Sequence, residues 1–146
     1  MRLALGIAAA MALLVAAVAA ATLLDDDGDR AEVAGIRIGR EPSPVRGVGH
    51  FEQDGERLTG FVVVWGLEPS STHAVHFHGP ESSCGTKADP VALHPDLTAD
   101  GDGVAYTEVD IAAEPQLLDG GYYYNVHEGP SSQAENPEIT CGDIAP

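Results

Sequence analysis

Basic side chains are scarce in this chain of 146 residues, which has seven Lys+Arg against 23 Asp+Glu and a formal net charge of −16. A surface this negative repels phosphate backbones, which excludes DNA or RNA binding as a function. Aromatic residues make up only 5%, but the 44% hydrophobic content is too high for a disordered acidic tail. We therefore expect one compact acidic domain besides the N-terminal segment.

Charge is absent from residues 3–24, between Arg2 and the run Asp25-Asp26-Asp27. A basic residue followed by an apolar run is the layout of an export signal, and small residues at Ala17, Ala19 and Ala21 offer cleavage sites. The run is also long enough to span a bilayer. Residues 1–24 are thus predicted to be a cleaved signal peptide or an apolar helical membrane anchor, and 25–30 an acidic linker. Both alternatives place the domain, 31–146, outside the cytoplasm, with membrane contact only through residues 3–24.

Cysteine is limited to Cys84 and Cys141. In an oxidising compartment, two cysteines in one small domain predict a single disulfide. A metal site or two free thiols are the alternatives. The sequence also lacks a nucleophile elbow and a glycine-rich phosphate loop, so neither of these catalytic arrangements is indicated.

Helical periodicity longer than a turn or two is missing after residue 30. Short alternating segments separated by Gly, Pro, Asp and Ser instead predict antiparallel strands in a sandwich or barrel. Asp54-Gly55 between two of them predicts a hairpin. The predicted strands span 31–39, 45–53, 58–65, 72–78, 104–111, 122–128 and 139–144. The long loop 79–99 is the segment with the weakest structural signal and the expected place for function.

Six histidines are present, and alternation along the strands sorts them. His76 and His78 share one face of 72–78, whereas Val75 and Phe77 on the other face are expected to enter the core. His127 lies on the Tyr123 face of its own strand and can join the His76/His78 face if the two strands are neighbours. His94 lies in the long loop, free to approach this face. Imidazole ligands suit copper or zinc, with copper favoured by affinity, although such a pair in an exposed strand is often only solvated.

Five stretches in this order resemble the copper/zinc superoxide dismutase family over nearly all of 31–144. They are PVRGVGHFEQ (44–53), THAVHFHG (72–79), LTADGDGVA (97–105), NVHE (125–128) and TCGDI (140–144). The resemblance implies an immunoglobulin-like Greek-key β-barrel of seven to eight strands, and a homodimer is compatible with it. It also implies conversion of superoxide to O₂ and H₂O₂.

The same resemblance assigns the site residues. His76, His78 and His127 match copper ligands. His94 matches the histidine that bridges copper and zinc, and so carries the catalytic proton. Cys84 and Cys141 match the family's disulfide.

Two departures from the family pattern stand out. Asp96 is the only further candidate ligand for zinc, so a copper-only site is favoured, and His50 and His73 are expected to be structural or surface residues. Glu138 occupies the position of the family's anion-guiding arginine, and Lys87 is the only basic residue after Arg57 that can replace it.

The alternative function is therefore a copper-binding protein without useful turnover. A metal-free scaffold is the third reading, because the 121–127 stretch GYYYNVH also resembles the CHRD domain.

Overall fold

The computed structural model describes residues 32–133 and 136–145, and this part of the chain is almost entirely β-structure. It contains no α-helix, and thus no helix with the length and apolar character to cross a bilayer. The elements are β1 (Glu32–Ile38), β2 (Arg46–Asp54), β3 (Arg57–Trp65), β4 (Thr72–His73), β5 (Val75–His78), β6 (Pro90–Leu93), β7 (Leu97–Thr98), β8 (Val104–Ala112), a 3₁₀ turn (Leu117–Asp119), β9 (Tyr123–His127) and β10 (Glu138–Ala145). The all-β prediction is confirmed. The predicted signal or anchor at 1–24 and the linker at 25–30 lie outside the described residues.

Eight strands form one antiparallel sheet in the order β6-β5-β9-β10-β1-β2-β3-β8. The end strands β6 and β8 contact each other, so the sheet nearly closes into a barrel. Partners distant in sequence, such as β1 with β10 and β3 with β8, give the connectivity of a Greek key. The predicted hairpin joins β2 to β3, and Gly55 in its turn has a φ of 56°, which glycine adopts without strain.

Alternate side chains of each strand fill the barrel interior. Phe51, Phe77 and Tyr124 come from β2, β5 and β9, and the Phe77 ring lies 5.3 Å from Phe51 and 5.0 Å from Tyr124. These three side chains are completely buried. Aromatic pairs at such distances stabilise a core beyond simple area burial. The core thus fixes β5 against β9, the two strands that carry His76, His78 and His127.

The structure differs from the predicted strands between residues 72 and 99. The predicted strand 72–78 is interrupted at Ala74, and its first half, β4, pairs with β7 in a separate two-stranded sheet. Ala74 nevertheless stays tied to the neighbouring chain, because its N–H donates to the carbonyl of Gly129 and its own carbonyl accepts from the N–H of His127. The strands β6 and β7 occupy the predicted loop 79–99. They are only four and two residues long, too short for alternation to reveal them.

Candidate metal centre

Three histidines on two adjacent strands converge beside the barrel. His76 and His78 belong to β5, and His127 ends β9, which pairs with β5 in antiparallel register. The His76 ring lies 5.0 Å from that of His127 and 5.8 Å from that of His78. One ring nitrogen from each residue lies within 4.8 Å of the other two. The alternation of side chains along the strands therefore predicted the convergence of these three residues correctly.

The ring nitrogens of this cluster are divided between two tasks. The Nδ1 of His78 donates to the carbonyl of Ala88 at 2.9 Å, and the Nδ1 of His127 donates to the carbonyl of Asn136 at 2.6 Å. Because a carbonyl only accepts, these bonds hold the proton on Nδ1 and leave a lone pair on Nε2. The Nε2 atoms of both residues, and the Nδ1 of His76, are buried without a hydrogen-bond partner.

Three unpaired buried nitrogens on neighbouring rings are costly unless something binds them. A metal ion removes that cost, and carbonyl bonds on the remote nitrogen are the usual way of orienting a metal-binding histidine. The residues present therefore fit a metal ion held by His76, His78 and His127. An all-imidazole donor set is compatible with both copper and zinc.

Burial favours the uncharged form of the cluster. Burial is the main cause that lowers the pKa of His76, and the neighbouring imidazoles of His127 and His78 lower it further. The charge of Asp96 opposes this shift weakly. Since only a neutral imidazole offers a lone pair, the lowered pKa of His76 keeps it available as a ligand at neutral pH.

The histidine face is covered, although the sequence predicts that it faces outward. His78 is only 6% exposed, because the chain segment that follows β5 folds over it. The disulfide Cys84–Cys141 anchors this segment to β10 and confirms the predicted pairing. The Tyr123 hydroxyl also holds the segment, since it donates to the carbonyl of Thr86 at 2.8 Å. The Tyr123 ring stacks on His78 at 5.0 Å, and burial, followed by the charge of Glu138, raises its pKa.

A second histidine layer supports His127 from the core side. The Nδ1 of His73 donates to the carbonyl of His127 at 2.7 Å, and its Nε2 bonds the hydroxyl of Ser71 at 2.6 Å. His73 is 4% exposed, so the bond lies inside the protein. His50, in contrast, is exposed on β2.

The structure does not bring His94 or Asp96 into the cluster. His94 is buried against the core residue Tyr124, and its Nδ1 donates to the carbonyl of Pro95 at 2.6 Å. Burial lowers the pKa of His94. The carboxylate of Asp96 accepts bonds from the N–H and hydroxyl of Ser131, which joins the β6–β7 and β9–β10 connections. Within the described ranges, no other group of three candidate ligands meets at one point.

A cavity of about 320 Å³ opens beside the cluster. Its walls include the ligands His78 and His127, together with Lys87, Asn125 and Glu138. Asn125 is buried, and its Nδ2 donates to Oε2 of Glu138 at 3.4 Å. The cavity therefore combines one positive and one negative side chain, and Lys87 lies where the sequence requires it to lie if it is to attract an anion.

The negative charge of Glu138 is not isolated. The Nη1 of Arg40, which follows β1, lies 3.2 Å from Oε1 of Glu138. The guanidinium also packs over Gly85 in the cavity wall, where an added Cβ would come within 2.6 Å of the arginine Cζ. The sequence gives no local signal for this contact, because 98 residues separate the two partners.

No family model matches this chain, and no curated protein matches it. The resemblance to copper/zinc superoxide dismutases therefore rests on the sequence motifs of the chain itself.

Proposed function

We propose that this domain is an extracytoplasmic copper protein that converts superoxide to O₂ and H₂O₂. The observation that carries the proposal is the set of three buried, unpaired nitrogens: Nδ1 of His76, Nε2 of His78 and Nε2 of His127. The disulfide indicates an oxidising compartment, which agrees with an exported protein. Copper that alternates between Cu(II) and Cu(I) supplies the chemistry, oxidising one superoxide and reducing a second with uptake of two protons.

The protein's own groups hold the ligands and control access. The carbonyls of Ala88 and Asn136 fix the tautomers of His78 and His127, so both rings are oriented before any metal binds. The cavity beside them admits only a small molecule. In the cavity wall, Lys87 offers an ammonium group to an anion, and Arg40 offsets the repulsion from Glu138.

No proton-carrying role is given to His94. Its Nδ1 is engaged with Pro95, and its ring packs on Tyr124 rather than joining the three candidate ligands. Protons for the reduction of superoxide then come from water in the cavity. Zinc is likewise not part of the proposal, because Asp96 is bonded to Ser131.

The alternative is copper storage or delivery without turnover. The acidic chain and the carboxylate of Glu138 in the cavity wall favour it, since both oppose an approaching anion. The two functions share the histidine site and differ only in what reaches it.

The decisive experiment measures copper content and superoxide turnover on the same purified protein. His127→Gln is compared with His50→Gln, in which an exposed histidine far from the cluster changes in the same way. We expect one copper per chain and fast turnover in the wild type and in His50→Gln, and loss of both in His127→Gln. Copper binding with negligible turnover would support the storage alternative. A wild type that binds no copper would overturn both functions and favour a metal-free scaffold.

A further inference from the structure

One surface of the barrel is unusually apolar. Among the described residues, six large hydrophobic side chains are exposed, and five of them point outward from the neighbouring strands β1, β2, β3 and β8: Val33, Val48, Phe61, Trp65 and Tyr106. The sixth, Leu93, lies on β6. Single exposed hydrophobic residues are ordinary, whereas a contiguous patch marks an interaction surface. We call the outward side of these four strands the outer face.

The strand register makes this patch continuous. Val48 on β2 pairs with Val63 on β3, which pairs with Tyr106 on β8. The Phe61 ring stacks 6.4 Å from that of Tyr106 and lies 6.0 Å from that of His50. An apolar band therefore crosses the middle of the outer face.

The two edges of the outer face carry opposite charges. Arg37 lies on β1 beside Val48, and Glu108 lies on β8 beside Phe61. Both side chains are exposed, and neither takes part in an ion pair within the part of the chain that the structure describes. The face is thus basic at one edge, apolar in the middle and acidic at the other edge.

We propose that the outer face is the interface of a homodimer. A two-fold axis parallel to the strands, between β2 and β3, brings β1 of one protomer over β8 of the other. Arg37 then faces the partner's Tyr106, and the partner's Glu108 is two residues further along the strand, or about 7 Å. Symmetry forms each contact twice, and packed sheets commonly align their strands within about 30° in this way.

The shape of the face agrees with this arrangement. A concavity of about 290 Å³ lies between Arg37, Val48 and Trp65. Tyr106 is 61% exposed and so projects from the opposite edge of the same face. The same rotation carries the partner's Tyr106 to the edge that holds the concavity. Shape and charge are therefore both self-complementary, which neither a bilayer nor a uniformly basic partner would require.

The test is the association state of the purified, disulfide-bonded protein, measured by sedimentation equilibrium. We expect a wild-type dimer, and Tyr106→Asp should weaken it by more than about tenfold in dissociation constant. Leu93→Asp is the matched control, because it places the same charge at an exposed hydrophobic position outside the face. Arg37→Glu and Glu108→Arg should each weaken the dimer by about tenfold, and the double exchange should restore most of the affinity.

Three results would overturn the proposal. One is a wild type that remains monomeric at its highest soluble concentration. Another is equal dissociation by Leu93→Asp and Tyr106→Asp. The third is a monomer that sediments with lipid vesicles through Trp65 and Tyr106, which would assign the face to a bilayer. Copper binding and turnover are separate measurements, so failure of the proposed function leaves this test unaffected.

Discussion

The guanidinium of Arg40 lies 3.2 Å from the carboxylate of Glu138, at the wall of the cavity beside the histidine cluster. Considered from its sequence position alone, Glu138 is an obstacle to an anion. The contact with Arg40 changes this expectation, because the pair is close to neutral as seen from the cavity. An exposed ion pair contributes little to stability, so its importance lies in the local potential.

Removal of Arg40 should therefore weaken anion binding. We expect Arg40→Gln to reduce the affinity of the copper-loaded protein for azide, and its superoxide turnover, by about three- to tenfold at low ionic strength. Glu138 is then left without its partner charge and repels the anion. The measurements are azide titration followed by absorbance and turnover at increasing salt, where screening should shrink the difference.

Arg57→Gln is the matched control for this variant. Arg57 forms a bidentate pair with Asp110 on β3 and β8, so its removal makes the same change in net charge and also leaves one carboxylate unpaired. Equal losses in Arg40→Gln and Arg57→Gln would contradict a local role for Arg40. As a converse variant, Glu138→Gln should increase azide affinity, since it leaves the guanidinium without a neutralising partner.

Sequence patterns predicted the parts of this molecule that depend on short-range alternation. The bounds of the longer strands and the shared face of His76 and His78 follow from a period of two residues. The disulfide followed from two cysteines in an exported domain. These features need no knowledge of which strands become neighbours.

The rest of the candidate site depends on contacts that leave no pattern in the sequence. The acceptors for His78 and His127 are backbone carbonyls, of Ala88 and Asn136, and a carbonyl is present at every residue. Arg40 reaches Glu138 only because β1 pairs with β10. The burial of His94 against Tyr124 likewise depends on the position of β6, which the sequence did not predict.

His73 should support the candidate metal site without binding the metal. His73→Phe keeps an aromatic ring but leaves the carbonyl of His127 without its donor, at a cost of about 1–3 kcal/mol in the free energy of unfolding. Urea denaturation measures that cost, and competition with a chelator measures copper affinity, which should also fall. Ser71→Ala removes only the other hydrogen bond of this histidine and should have a smaller effect. Unchanged copper affinity in His73→Phe would show that the His127 backbone does not need this bond.

The disulfide should stabilise both the fold and the histidine site. Loop-closure entropy for a sequence separation of 57 residues predicts that Cys84→Ser with Cys141→Ser lowers the free energy of unfolding by about 4 kcal/mol. Copper affinity should fall as well, because the segment that supplies the Ala88 carbonyl to His78 loses its covalent anchor. Denaturant titration and chelator competition on the same variant separate these effects. A loss of stability with full retention of copper affinity would show that Tyr123 and the backbone bonds hold the segment unaided.

His94 should make the protein less stable in mild acid. Burial lowers its pKa in the folded state below the 6.5 of an unperturbed histidine, so the unfolded chain takes up the proton first as the pH falls. Stability due to this residue is therefore complete above about pH 6.5 and declines below it, until the folded state is protonated too. His94→Gln, which cannot titrate, should flatten this part of the stability curve in denaturant titrations between pH 7.5 and 5, whereas His50→Gln at an exposed site should leave it unchanged. The prediction fails if the slope of the curve is the same in both variants.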